Sequence, residues 1–380
     1  MLAFMERHTF DAVVIGAGIA GASLAAALAS THRVVLLEAE EVAGYHSTGR
    51  SAAIWIQNYG PQDVRHLSRL SRPFFEQPPP SFADYPLIRR RPVIFLAPPD
   101  QRSRLESMLA EGLGLRPLPL AEAQQRVPAL RSDYAVAASI EEDVFDIDVA
   151  ALHQGFLRQL RAAGGVLALR HRAGQVERPG SSWTVQTSAG AAFEAPVLVN
   201  AAGAWADELA RLANVAPLGL TPCRRTAVII DPAPWQVTDW PLVNDAITSW
   251  YVRPEARTKL LVSPGDETPL PPQDVQPDEL DIAVAIDRMQ QALAINVQRV
   301  ERAWAGLRTF TPDGSLAIGW DAVAPGFFWC VGQGGYGIQT SPAAAQLAAS
   351  LIRSRDPGEA APMLPRLDPR RFQPTPAHSA

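Results

Sequence analysis

The chain has 380 residues, 47% of them hydrophobic and 19% charged; this is an ordinary globular composition, long enough for two domains. A formal net charge of −5 gives no general affinity for nucleic acid. Two cysteines, Cys223 and Cys330, make no disulfide framework, and no Cys/His cluster suggests zinc, so no metal is expected.

The first ten residues carry Glu6 and Arg7 and no long apolar run, so no secretory signal is expected. No stretch approaches the roughly 20 apolar residues of a membrane span, and a cytoplasmic location is the expectation. An apolar strand from Ala12 to Ile15 leads into the glycine-rich run Gly16-Ala17-Gly18-Ile19-Ala20-Gly21. An alanine-rich helix follows to Ser30, then a second strand from Arg33 to Glu38. The block from Pro61 to Asp133 is rich in proline and arginine and lacks βαβ rhythm. From Asp148 to Gly164, Leu152, Phe156, Leu157 and Leu160 recur at helical spacing, and Val166 to Leu169 reads as a strand. After a hairpin around Trp183, the apolar strand Ala195 to Asn200 ends in Ala-Ala-Gly.

A second irregular, proline-punctuated block runs from Pro217 to Pro277, and Leu280 to Ile295 reads as a helix. The strand Gly326 to Val331 enters another glycine-rich turn, Gly332 to Gly337, which opens a helix to about Ile352. From Pro357 the chain is proline-rich and is expected to dock loosely or fray. Parallel α/β character therefore recurs at the start, middle and end. The expected fold is α/β: a discontinuous Rossmann-like cofactor domain (9–60, 148–214 and 300–356) with a smaller α+β substrate domain carrying an antiparallel sheet (61–147 and 215–299), and a tail over 357–380.

GxGxxG alone is a weak signal, but here a strand precedes it, a helix follows, and Glu38 ends the next strand. Gly16 permits the tight turn, Gly18 lets the backbone approach a pyrophosphate, and Gly21 allows close helix–strand packing. The helix N-terminus offers N–H groups and positive dipole to phosphate, and Glu38 suits a ribose while disfavouring the 2′-phosphate of NADP. The fingerprint serves NAD and FAD alike. Two features favour FAD: the small, hydroxylic run EEVAGYHSTGRSAA from Glu40 to Ala53, suited to lying against a long cofactor, and the second glycine turn, whose helix N-terminus can stabilise charge on a reduced flavin.

Together the runs VIGAGIAGAS, GYHSTGRSAA, ALHQGFLR, VLVNAAGAW, WAGLRTF and QGGYGIQT, spread over nearly the whole chain, resemble the FAD-dependent family of D-amino-acid, glycine and sarcosine oxidases, and within it most resemble bacterial D-arginine dehydrogenases. The resemblance implies a two-domain flavoenzyme that oxidises a D-amino acid at Cα to an imine, which hydrolyses to an oxo acid and ammonia. It assigns Gly16, Gly18, Gly21 and Glu38 to the ADP moiety. Ser47, Gly49, Arg50 and Ser51 would line the flavin, Ala173, Ala202 and Gly203 the ADP side, and Gly335, Gly337, Ile338 and Thr340 the isoalloxazine and ribityl groups. Arg225 and Arg308, beside Tyr59 and Tyr251, match the substrate carboxylate clamp, a role suited to guanidinium forks and phenol donors. Gly335 would offer its carbonyl to the substrate nitrogen. His46 is expected to be structural.

The sequence departs from D-arginine dehydrogenases in the side-chain pocket. Their glutamate after an Arg-Pro pair is Val93 here, and a histidine and a threonine are Ile54 and Ile56. A cation in such a pocket would be penalised by desolvation, so an apolar side chain is expected, with Glu76 or Asp84 as the alternative source of charge. No cysteine lies in Trp304 to Phe310, where some relatives attach flavin, so FAD is expected to be non-covalent. The alternatives are oxidation of a secondary amine or a 2-hydroxy acid, or a flavin-binding subunit without its own turnover. Oxygen, a quinone or another oxidant would take the electrons.

Overall fold

A computed structural model describes residues 7–111 and 114–372. Ala12–Ile15 and Val34–Leu37 are buried along their whole length, as strands covered on both faces must be. They sit in a six-stranded sheet ordered Val166–Ala168, Val34–Leu37, Ala12–Ile15, Val197–Asn200, Phe327–Val331 and Ala317–Trp320; all neighbours are parallel except the last pair. Alternate residues of these strands pack against the helices Ile19–Ala29, Val149–Ala162 and Gly337–Ile352 on one face. On the other face lie the helix Ala206–Leu212 and a four-stranded sheet containing Trp183 and Phe193.

The helices Ile19–Ala29 and Gly337–Ile352 run side by side in the same direction. A methyl group on Gly337 would stand 3.7 Å from Ile19 Cγ2, while at the far ends the Arg353 guanidinium donates to Ser30 Oγ at 3.1 Å. Both glycine turns, and both positive helix ends, therefore meet at one edge of the sheet.

The second sheet is larger and mostly antiparallel. It runs Thr268–Pro269, Thr221–Ile230, Lys259–Ser263, Tyr251–Glu255, Leu242–Asp245, Val93–Ala97, Ala137–Glu141 and Leu115–Pro117, with Val300–Phe310 paired along Thr221–Ile230. Only Leu242–Asp245 and Val93–Ala97 are parallel neighbours. The pleat splits its side chains: Ile94, Ile140, Val228, Val252 and Leu260 pack under the helices Leu120–Arg126 and Glu279–Ala292. Val93, Phe95, Ala227, Leu242, Tyr251 and Leu261 project the opposite way, together with Ile54, Ile56 and Tyr59. Ile54–Trp55 belongs to a three-stranded sheet with Phe145–Ile147 and Ile88–Arg90.

Two expectations shift. Val300–Phe310 lies in the large sheet, so the return to the six-stranded sheet comes after Phe310 rather than at residue 300: its ladder partner is Thr221–Ile230. The segment from Pro357 to Phe372 is seated on the fold. Leu367 is fully buried, and Arg371 holds Asp313 at 2.8 Å and Leu316 O at 3.0 Å. Residues 373–380 of the expected tail lie outside the described residues. Among the described residues no helix is long and apolar enough to cross a membrane.

Candidate functional site

The turn after Ala12–Ile15 is shaped by close backbone approach. Gly16 has φ +102°, and a Cβ there would stand 2.4 Å from Ala201 O, so only glycine fits. Gly18 is the helix N-cap and lends no side chain to the first-turn amides; no acidic residue lies in that turn, which leaves its positive end available to phosphate. Thr48 Oγ1 accepts from Ile19 N at 2.9 Å, tying the hydroxylic loop to the helix start. Glu38 Oε2 accepts from Ala17 N at 2.9 Å and Oε1 from Glu40 N at 3.0 Å, which holds the carboxylate beside the turn.

This turn opens on a cavity of about 460 Å³ lined by Gly16, Gly18, Glu38, Ser47, Ala173, Ala202 and Gly203 among others, and extending to Leu307, Thr309 and Gly334. Residues from seven separate stretches of sequence thus line one cavity. A cavity that joins a glycine cradle, an acidic residue at the strand end and the second glycine turn fits an elongated dinucleotide. The other cofactor candidates lie behind this lining. Gly21 packs against the Gly16 carbonyl, and Gly337 against Gln333. Thr340, fully buried, returns its hydroxyl to Tyr336 O at 2.9 Å, and Ile338 belongs to the core. The Arg50 guanidinium turns to Val275 O and Ala305 O, each at 3.0 Å, and to Asp274; it latches the loop rather than lining the cavity. Gly49 and Ser51 continue that loop, where Gly49 N donates to Gly44 O at 2.7 Å and Ser51 N to Thr48 O.

Where the large sheet meets the second glycine turn, Tyr59, Arg308 and Gly335 converge. Arg308 Nη1 donates to Tyr59 Oη at 3.1 Å, and a Cβ on Gly335 would lie 2.9 Å from that nitrogen. Tyr251 is buried and bonds the Ser263 side chain; burial works to raise its phenol, but the Arg308 and Arg225 guanidiniums outweigh that and hold it below the usual tyrosine range. For Arg308, burial works against the charge, yet Tyr59, Tyr251 and the Glu267 and Asp266 carboxylates more than offset it. Arg225 donates from Nε to Asp266 O and from Nη2 to Glu267 Oε1, both at 2.8 Å. Arg224, by contrast, is bound to Asp281 at 2.8 Å and Asp278 at 3.5 Å. Arg308, Tyr59 and Gly335 thus meet, Tyr251 lies within electrostatic reach of Arg308 and Arg225, and Arg225 is paired with Glu267. Guanidinium forks and phenols are groups suited to a carboxylate.

Ile54, Ile56 and Val93 share one apolar cluster with Tyr59 and Tyr251. Of the alternative acids, Glu76 is taken by Arg72 at 2.7 Å, and Asp84 is exposed. His46 contacts Glu40 at 3.1 Å and packs on Trp205 with centroids 4.5 Å apart. Several residues escape sequence reasoning. His153 Nε2 donates to Ala17 O at 2.9 Å, which fixes its tautomer because a carbonyl only accepts, and burial lowers its pKa. Gln339 clasps Ile56, accepting from its N–H at 3.1 Å, and donates to Ser68 Oγ at 2.8 Å. Thr48 and Glu267 complete the set. His153, Gln339 and Thr48 lie within the runs ALHQGFLR, QGGYGIQT and GYHSTGRSAA, but each acts on a partner distant in sequence, which no local pattern announces.

Residues 11–351 match the family described as DAO, FAD dependent oxidoreductase. Among solved structures, glycine oxidase from Geobacillus kaustophilus superposes with TM-score 0.79 at 20% identity, covering 92% of this chain and 96% of that one. L-proline dehydrogenase from P. horikoshii gives 0.81 at 21% identity, covering 97% and 99%. At such identity these neighbours speak for the fold. Among curated relatives, hydrogen cyanide synthase subunit HcnC of Pseudomonas aeruginosa is 28% identical over 197 residues, 51% of this chain and 44% of that protein. A bovine FAD-dependent oxidoreductase domain-containing protein 1 is 25% identical over 179 residues, 42% of this chain and 36% of its own. The aligned region thus spans under half the length of each curated relative. These matches establish the family and not its D-arginine dehydrogenase branch. With the cradle, the cavity and the sheet order, they place the chain in the DAO family of FAD-dependent oxidoreductases.

Proposed function

We propose that this flavoprotein oxidises the C–N bond of an α-amino acid, specifically a D-amino acid, to an imine that hydrolyses to an oxo acid and ammonia. The observation that carries this reading is the convergence of Arg308, Tyr59 and Gly335, with Tyr251 and Arg225 alongside. Arg308 and Arg225 would bind the substrate carboxylate, with the Tyr59 and Tyr251 hydroxyls as further donors. The Gly335 carbonyl would accept a hydrogen bond from the substrate nitrogen and so orient Cα toward the cofactor. FAD, held along the cavity by Gly16, Gly18 and Glu38, would supply the two-electron oxidising chemistry.

The apolar wall formed by Ile54, Ile56 and Val93 supports an aliphatic side chain over a guanidinium. Domain roles follow the sheets: the six-stranded sheet serves the cofactor, the large sheet the substrate. Non-covalent FAD is supported by the thiol nearest the clamp: Cys223 lies opposite Arg308 in the ladder, and burial, with Glu267, raises its pKa and keeps thiolate scarce.

Anaerobic mixing of the FAD-loaded protein with D- and L-amino acids, glycine, sarcosine and 2-hydroxyglutarate tests the reading. Bleaching by D-amino acids supports it; bleaching by sarcosine or a hydroxy acid alone favours the corresponding alternative. Absence of bleaching by every compound favours a subunit without its own turnover.

A further inference from the structure

Across the large sheet, Val93 pairs with Glu141 on one side and Leu242 on the other, while Asn244 pairs with Tyr251. Paired residues project to the same face, so Glu141 stands on the face that carries Val93, Phe95 and Tyr251. It is only 2% exposed. Its carboxylate accepts from the Asn58 side chain and from the main-chain N–H groups of Gln57 and Asn58, the two residues between Ile56 and Tyr59. The remaining oxygen, Oε2, is buried and has no hydrogen-bond partner. The foremost charged influence on Glu141 is Asp143, of like sign, and Asp143 is itself held by Arg72.

A buried carboxylate with a bare oxygen is rare, because both its desolvation and its missing bond count against the fold. Glu141 needs only one of its oxygens to hold the Gln57–Asn58 backbone. The other stays unpartnered on the face that carries Val93, whose apolar cluster includes Ile54 and Ile56. Among other acids, Glu76 is paired with Arg72, Asp84 is exposed, and Asp146, opposite Ile54 in the ladder, is held by Arg91 and Arg253. Relative to Val93, the charge sits one strand over on the same face.

We propose that Glu141 ends the substrate side-chain pocket and accepts a hydrogen bond from the tip of the substrate, selecting an amino acid with an aliphatic stem and a terminal N–H or O–H donor. This rests on the carboxylate-clamp reading above and revises the apolar preference at its far end: the walls are aliphatic, the end is not.

The test compares FAD-loaded wild type, Glu141→Gln and Glu141→Leu, with flavin content checked, on D-norleucine, its ω-hydroxy analogue and D-lysine. The wild type is expected to prefer a donor-tipped substrate over D-norleucine by about tenfold or more in kcat/KM, since a site built around a buried polar group discriminates strongly against an analogue lacking the partner. Glu141→Leu should abolish or invert that ratio, chiefly through KM. Glu141→Gln should keep the hydroxyl analogue better than D-lysine. An unchanged ratio in Glu141→Leu overturns the inference, as does an equal loss on every substrate, which would mark Glu141 as a brace for the Gln57–Asn58 segment. If no amino acid reduces the wild-type flavin, the clamp reading has failed first, and the inference with it.

Discussion

Replacing Glu141 by glutamine should make the protein's stability less dependent on pH, by an amount that follows from its surroundings. Burial pushes the Glu141 carboxyl from 4.5 up to about 7, against the opposing pull of the Asn58 and Gln57 hydrogen bonds. Well below 4.5 the group is protonated in both folded and unfolded chains and contributes no difference. Between 4.5 and about 7 the unfolded chain has released its proton while the folded one keeps it, so stability falls as pH rises. Above that window both states are ionised and the full penalty, roughly 3 kcal/mol, is present. Glutamine does not titrate, and its carbonyl can keep the contacts to Asn58 and Gln57, while its neutral amide takes the unpartnered side at a smaller desolvation cost than a carboxylate. The stability of Glu141→Gln relative to wild type should therefore climb by roughly 3 kcal/mol between about pH 5 and about pH 8. Urea unfolding of both proteins at fixed, saturating FAD measures this, the fixed cofactor being needed because any ligand of the native state adds its own stabilisation. Parallel stability profiles across that range would refute the burial-dominated environment assigned to Glu141.

Other substitutions probe the clamp and the cradle. In Gly335→Ala the new methyl would fall 2.2 Å from Tyr59 Oη and 2.9 Å from Arg308 Nη1, both ends of side chains that can retreat. Folding should survive while kcat/KM drops by about a hundredfold, and full activity would remove Tyr59 and Arg308 from the binding step. Gly21→Ala places a methyl 1.9 Å from the Gly16 carbonyl, which is backbone and cannot move aside; soluble protein purified from it should lack flavin absorbance, and a normal flavin-to-protein ratio would count against the cradle. Arg308→Lys keeps the charge but loses the fork, so KM for an amino acid should rise about tenfold or more with flavin content intact. A KM within twofold of wild type would argue against a bidentate carboxylate contact.

The cofactor side was legible because its information is local. A strand, a turn that demands glycine at φ +102° and an acid at the end of the next strand all lie within Ala12 to Glu38, and the structure keeps Gly16, Gly18 and Glu38 on one cavity. The substrate side depends on which strands pair, and no periodicity announces that. Val300–Phe310 reads as a continuation toward the C-terminal glycine turn, yet its ladder with Thr221–Ile230 is what sets Arg308 opposite Cys223 and Arg225 opposite Gly306. The pocket shows the difference most sharply. From sequence it loses its acid because Val93 stands where D-arginine dehydrogenases carry a glutamate, and no motif draws Glu141 into it. Antiparallel register with Val93–Ala97 turns Glu141 inward, while Glu142 remains partly exposed and pairs with Arg116 at 2.9 Å. Alternation shows that one of two adjacent carboxylates faces inward; only the pairing decides which, and with it whether the pocket ends in carbon or in oxygen.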